Sequence, residues 1–141
     1  MNLENLISVS GLPGIYRMAA NRSNGLIIED VKTGKRRFAS SRKHQFTPLE
    51  SIAIYTDDGE SIELKIVFRN MLQQIADHPP ASINAKPEEL HEYFADILPN
   101  YDRDRVFTGD IKKVIKWFSY LNESGALSEE EEEKTNEEEE E

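Results

Sequence analysis

Asn24-Gly25-Leu26-Ile27-Ile28-Glu29-Asp30-Val31-Lys32-Thr33-Gly34-Lys35-Arg36-Arg37-Phe38-Ala39 reads as two strands, each introduced by a turn. Asn-Gly tolerates the backbone angles that a tight hairpin demands, and the apolar run behind it favours extended chain. Thr33-Gly34 turns the chain again, and Lys35 to Ala39 returns. Upstream, Gly11-Leu12-Pro13-Gly14 is punctuation before a strand at Ile15 to Ala19. Downstream, Pro48-Leu49-Glu50 is a single tight turn, and Ser51 to Thr56 is a strand with Ile52 and Ile54 on one face. Asp58-Gly59 closes a hairpin with Ser61 to Leu64. Five short strands in about 55 residues, with Gly at the turns, predict a small SH3-like β-barrel over residues 1–66.

The period then changes. Leu64, Val67, Phe68, Met71, Leu72 and Ile75 recur at helical spacing, which predicts a connecting helix over 67–78. His78-Pro79-Pro80 stops it, because proline cannot continue a helix and disfavours helical geometry in the residue before it. A helical hairpin is predicted over 87–121. Pro87 suits a first turn, and Glu88 and Glu89 suit the helix dipole. Leu90, Tyr93, Phe94, Ile97 and Leu98 form one apolar stripe; Ile111, Val114, Ile115, Phe118 and Leu121 form the other. From 122 to 141 the composition turns to Ser, Gly and Glu, and a disordered acidic tail is predicted. The class is α+β.

Charge sharpens the division. The 141 residues carry 17 Lys+Arg and 27 Asp+Glu, a net of -10. Ten Glu and one Lys lie between Glu129 and Glu141, so residues 1–128 are close to neutral. Whole-surface repulsion and a uniformly basic nucleic-acid binder are both excluded. There is no Cys, which removes disulfides, thiolate metal sites and thiol nucleophiles. Met1 to Leu12 carries Glu4 and no basic residue, so no secretory leader is expected. The apolar runs are far shorter than the roughly 20 residues of a membrane span. A cytoplasmic protein with no membrane partner is expected.

One stretch departs from neutrality. Between Val31 and Leu49 stand Lys32, Lys35, Arg36, Arg37, Arg42 and Lys43, with His44 and without an acid; Phe38 and Phe46 are interleaved. On one strand and the loop beside it, these cations would cluster, bind phosphates and leave Phe38 or His44 to stack on a base. The alternatives are a solvated edge strand guarded by charge, or a cradle for the chain's own Glu tail. The expected function is therefore a non-enzymatic binding protein, contacting RNA on the ribosome or another ribonucleoprotein particle. The competing expectation is a protein–protein adaptor that docks an acidic or helical partner through Trp117, Lys113 and Lys116.

Nothing points to catalysis or to a cofactor. Gly-x-Ser-x-Gly is absent, and Gly11 and Gly14 lack the rest of a phosphate loop. Asp102-Arg103-Asp104 opens like a calcium loop, but Val106, Phe107 and Lys113 occupy the positions that would need an oxygen ligand, Gly and Glu. Those carboxylates are expected to cap or to pair with neighbouring cations instead, and no metal is expected. His44, His78 and His91 are too far apart in sequence for a ligand set and are expected at the surface.

Ser10-Gly11-Leu12-Pro13-Gly14-Ile15-Tyr16, Ile52-Ala53-Ile54-Tyr55-Thr56, and Leu98-Pro99-Asn100-Tyr101-Asp102-Arg103-Asp104-Arg105-Val106-Phe107 running into Asp110-Ile111-Lys112-Lys113 are distinctive wording. Together they resemble a small uncharacterised Bacteroidota family with two consecutive domains of unknown function and an acidic C-terminal tail. The resemblance spans about residues 1–122. It implies a two-part architecture and carries no activity or catalytic residue with it.

Overall fold

The computed structural model describes residues 2–127. The chain divides into two compact units: Met1–Ile52 together with the segment from Tyr120 onward, and Ala53–Ser119. Both strands and helices are present, so the class is α+β.

The first unit is a five-stranded antiparallel sheet. Its strands are β1 (Leu6–Val9), β2 (Tyr16–Arg22), β3 (Gly25–Asp30), β4 (Arg36–Ser40) and β5 (Phe46–Pro48), in the order β4-β3-β2-β1-β5. Side chains alternate across the sheet. Ile7, Val9, Tyr16, Ile28 and Ala39 form the buried cluster on one face, with Leu12, Leu26 and Phe46 packed beside them. The β2–β3 hairpin turns at Ser23-Asn24, and its register shifts between Met18 and Ala20. One extra residue at such a bulge strengthens the local twist. A single 3-10 turn, Leu49–Ser51, follows β5, as Pro48-Leu49-Glu50 predicted.

Two features differ from the barrel expected over 1–66. The strands at Ala53–Tyr55 and Ser61–Glu63 pair with each other in a separate two-stranded sheet. Their places in the large sheet are taken by β1 and β5, which pair through Val9↔Phe46 and Ile7↔Pro48. Neither is legible locally: Leu-Ile-Ser-Val is nearly continuous in apolar character, and Phe-Thr-Pro has only three residues. Their pairing joins segments far apart in sequence. The sheet is also open, with β4 and β5 at opposite edges. Flat, five strands would hold those edges about 19 Å apart. The link Ser41 to Gln45 is itself a turn, with the Lys43 and His44 amides donated back to the Ser40 carbonyl, so it is far too short to cross that distance and the sheet must curl.

The second unit begins with the hairpin β6 (Ala53–Tyr55) and β7 (Ser61–Glu63). Gly59 takes a φ of 84° at its turn, as Asp58-Gly59 predicted. Three helices follow: α1 (Leu64–Gln74), α2 (Pro87–Ile97) and α3 (Thr108–Glu123), of which the residues from Tyr120 belong to the first unit. Val67, Phe68 and Met71 of α1 are buried, as are Leu90, Tyr93, Phe94 and Ile97 of α2 and Ile111, Val114, Ile115 and Phe118 of α3. Phe68 and Phe118 meet at 6.0 Å, and the Asn70 side-chain amide donates to the Ile97 carbonyl at 3.2 Å. The hairpin joins the α2–α3 loop through a bridge between Thr56 and Tyr101 and through an Asp102 amide donated to the Tyr55 carbonyl.

The tail expected over 122–141 is corrected for residues 122–127, which are ordered. Asn122 and Glu123 complete α3, and Leu127 is buried. Gly125, at φ 76°, ends the helix: the Ala126 amide bonds back to the Leu121 carbonyl and the Gly125 amide to the Asn122 carbonyl. That paired arrangement is the Schellman cap, which glycine enters without a Cβ penalty. The rest of the expected tail, 128–141, lies outside the described residues.

Candidate functional site

The basic stretch is built on β4, an edge strand. Asp30 donates its amide to the Lys35 carbonyl, and Ser41 donates its amide to the Asn24 carbonyl. These bonds fix the parity of the ladder, so Arg37 and Ala39 turn their backbone groups towards β3. Arg36, Phe38 and Ser40 turn theirs to the open edge. Side chains divide the other way. Arg37 lies opposite Ile28, and Ala39 opposite Leu26, on the face of the buried cluster. Arg36 lies opposite Glu29, and Phe38 opposite Ile27, on the outer face.

On that outer face Glu29 stands between two guanidinium groups. Arg36 Nε approaches its carboxylate at 3.0 Å and Arg17 at 3.6 Å. Phe38 is 42% exposed. Its ring lies over Gly25, where a Cβ would come within 2.9 Å of the ring and 2.1 Å of the Ala39 carbonyl oxygen. On the other face the hydroxyl of Tyr16 is pushed up by burial and by Asp30, and the charge of Arg37 acts against that rise.

The eight residues expected to bind nucleic acid therefore do not form one cluster. Lys35, Arg36, Arg37 and Phe38 follow the strand, while Arg42 and Lys43 stand exposed in the turn beyond its far end. The strand itself spans about 13 Å, so the charges make a ridge. No carboxylate of the described residues pairs with Lys35, Arg37, Arg42 or Lys43. Lys32 is drawn elsewhere: its ammonium lies 4.4 Å from the centre of the Tyr120 ring and pairs with Glu123. His44 is half-buried, with Nδ1–H donating to the Ser10 carbonyl at 2.7 Å. It pins the β4–β5 turn to the end of β1.

In the second unit, Lys113 and Lys116 are exposed and Trp117 is half-buried. Their spacing puts them together on α3, off the stripe of Ile111, Val114, Ile115 and Phe118. A second cationic and aromatic surface lies on the α2–α3 loop. Arg105 stands 5.1 Å from the Tyr55 ring centre and Arg103 5.5 Å from that of Tyr101. Tyr55 is 49% exposed and Phe107 64%. The sequence signal was the alternation Arg103-Asp104-Arg105 between aromatics, but Tyr55 is too distant along the chain to be grouped with it by inspection.

The calcium-like carboxylates do local work. Asp102 accepts the Asp104 amide and approaches Arg105 at 3.7 Å, and Asp110 accepts the Phe107 amide. Among the described residues no three His, Asp or Glu side chains stand close enough to hold a metal. The expectation that all His lie at the surface is corrected: none of the three is exposed, His44 and His78 being half-buried like His91. His91 bridges Tyr101 Oη at 2.8 Å and Thr108 Oγ1 at 3.1 Å. Those partners are supplied by the α2–α3 loop and the start of α3. No helix of the described residues is long and apolar enough to cross a membrane.

Residues 3–49 match a domain of unknown function (DUF5606), and residues 52–121 match a second (DUF6852). The two matches meet where the first structural unit gives way to the second. No curated protein matches the chain. A protein from Bacteroides vulgatus, solved by solution NMR in a structural-genomics programme, is 40% identical. The match covers 90% of each chain with a TM-score of 0.73. On this identity and coverage, the chain belongs to a Bacteroidota family built from these two consecutive domains of unknown function.

Proposed function

We propose that the protein is a non-enzymatic RNA-binding protein that holds phosphates along the β4 edge. The carrying observation is Phe38, an exposed ring on an edge strand whose neighbouring cations Lys35, Arg37, Arg42 and Lys43 have no carboxylate partner among the described residues. Cations without partners are free to replace the counterions of a phosphate backbone, and an exposed ring can stack on any base. In this reading the curled sheet is an SH3-like platform. The RNA belongs to the ribosome or another ribonucleoprotein particle in the cytoplasm. Lys32 and His44 support the ridge rather than touch the ligand.

The test is fluorescence anisotropy with a labelled oligouridylate at increasing salt. Four phosphate contacts at about 0.7 each predict a log–log salt slope near 2.8. Changing Arg42→Glu together with Lys43→Glu should lower both affinity and slope. A salt-independent affinity would overturn the reading.

The second reading is an adaptor that docks an acidic or helical segment of another protein. Trp117 supports it, half-buried beside two exposed lysines on one side of α3, since Trp and cations are favoured anchors at interfaces. It predicts that Trp117→Ala keeps the fold and loses a co-purifying protein.

A further inference from the structure

Three facts about the first unit converge on one occupant for the β4 ridge. The first is charge. Residues 31–49 hold six Lys and Arg and no acid, whereas 129–141 hold ten Glu and one Lys. The second is availability: β4 is an edge strand, and Lys35, Arg37, Arg42 and Lys43 are exposed without a carboxylate partner among the described residues. The third is the place where the acidic segment departs. Ser124, Gly125 and Ala126 line one cleft of about 450 Å³ together with Arg17 and Val31. Arg17 is in register with Glu29, which is in register with Arg36. The Arg17 side of that cleft therefore lies two strand spacings from β4, about 10 Å.

We infer that the segment Glu129–Glu141 docks on the cationic ridge of β4 and competes there with nucleic acid. The docking stands on the charges of this chain alone, while the competing role rests on the proposed RNA reading. Reach does not limit it. A flexible chain of 14 residues has a root-mean-square span of about 20 Å, twice the distance to the near end of the ridge, and a fully extended length that covers Arg42 and Lys43 at its far end. Carboxylates meet the guanidinium and ammonium groups of Lys35, Arg37, Arg42 and Lys43 as ion pairs. A sixth strand is not required, and Glu is a poor strand former. Exposed pairs are individually weak; their number and the tether supply the affinity. At an effective concentration of about 1 mM, a segment with a local dissociation constant of a few hundred micromolar occupies the ridge most of the time.

The experiment uses the full chain and a full-length variant in which Glu129 to Glu133 and Glu137 to Glu141 are each changed to Gln. Amide chemical shifts are compared between the two by NMR. Both are then titrated with labelled oligouridylate at low salt. Outside the substituted segment and its immediate neighbours, the expected result is a set of shift differences confined to the Lys35–His44 stretch and Arg17, lost at high salt. With it comes about fivefold tighter RNA binding by the Gln variant. Superimposable spectra over Lys35–His44 overturn the docking, even if both chains bind RNA equally. Shift differences without RNA binding to either chain confirm the docking and overturn the RNA reading and, with it, the competing role. In a third chain, Arg42→Glu with Lys43→Glu and the natural acidic segment should lose the shift differences. Their persistence would place the segment elsewhere and overturn the proposal.

Discussion

The hydroxyl of Tyr120 donates a hydrogen bond of 2.7 Å to Asp30 Oδ1, joining the last turn of α3 to the end of β3. The same oxygen accepts the backbone amides of Lys32 at 2.8 Å and Thr33 at 3.3 Å. Lys32 then folds its ammonium over the Tyr120 ring. One carboxylate therefore organises the β3–β4 turn and holds the helix end. Burial pushes the Asp30 carboxyl up, but the Tyr120 hydroxyl, the two amides and the Lys32 charge outweigh it, and the net shift is downward. Burial, followed by the bond to Asp30 and its charge, pushes the Tyr120 hydroxyl well up.

Tyr120→Phe should lower stability by about 1 kcal/mol, at the modest end for a bond to a charged group because the site is largely open to solvent. The pH dependence gives the sign. A lowered carboxyl contributes stability above its ordinary range near pH 4 and loses it as pH falls through the lowered value. A raised tyrosine contributes below about pH 10 and loses it as pH rises. Urea melts of Tyr120→Phe across pH should therefore show a weaker acid limb and a weaker alkaline limb than the parent. Parallel curves offset by a constant would refute the linkage.

Gly14 packs beneath the same ring. At φ 84° its Cβ would lie 2.5 Å from Tyr120 Cζ. Gly34, at φ 74°, has nothing within 4 Å of its Cβ. Gly34→Ala should cost about 1 kcal/mol, the backbone strain alone. Gly14→Ala should cost about 2–4 kcal/mol, the strain plus the clash. Thermal melts of the two variants measure the difference, and equal costs would show that Tyr120 yields freely.

Phe38 separates stability from binding. It is partly exposed on an edge strand, so Phe38→Ala should change stability by no more than about 1 kcal/mol. Under the RNA reading the same change should weaken oligouridylate binding by about 1–3 kcal/mol, the usual loss of a stacked base. Melting curves and anisotropy titrations on one preparation decide it. A large drop in stability with unchanged binding would mark Phe38 as a packing residue over Gly25 and Ile27.

Much of this was legible in the sequence, and the exceptions share a cause. Asn24-Gly25 and Thr33-Gly34 bracket β3 because a turn's chemistry is local, and Pro87 and the Leu90–Ile97 stripe mark α2 for the same reason. β1 and β5 leave no local mark because their evidence is each other: Val9 and Phe46 pair across 37 positions of sequence. The hairpin at 53–63 reads as two strands, but short strands do not say what they pair with, and these pair only with each other. At the candidate site, the run of cations was plain. Their division was not, because Lys32 is turned aside by Tyr120 and Glu123, and His44 by Ser10.

Tyr93 yields the last prediction. It is buried on α2, its ring tilted against that of His78 with centres 5.0 Å apart, and its hydroxyl has no hydrogen-bond partner among the described residues. Burial pushes that hydroxyl up to about 12. An unpaired buried hydroxyl costs about 1–3 kcal/mol of desolvation, whereas a phenyl ring of the same shape costs none of it. Tyr93→Phe should therefore stabilise the protein by about 1 kcal/mol, raising the melting temperature by a few degrees. The parent should also lose stability as pH rises from about 10 towards 12, because the unfolded chain ionises this group first. The Phe variant should lack that contribution. A destabilised Tyr93→Phe would show that a bound water or a transient partner satisfies the hydroxyl, and that the tyrosine is held there by a hydrogen bond after all.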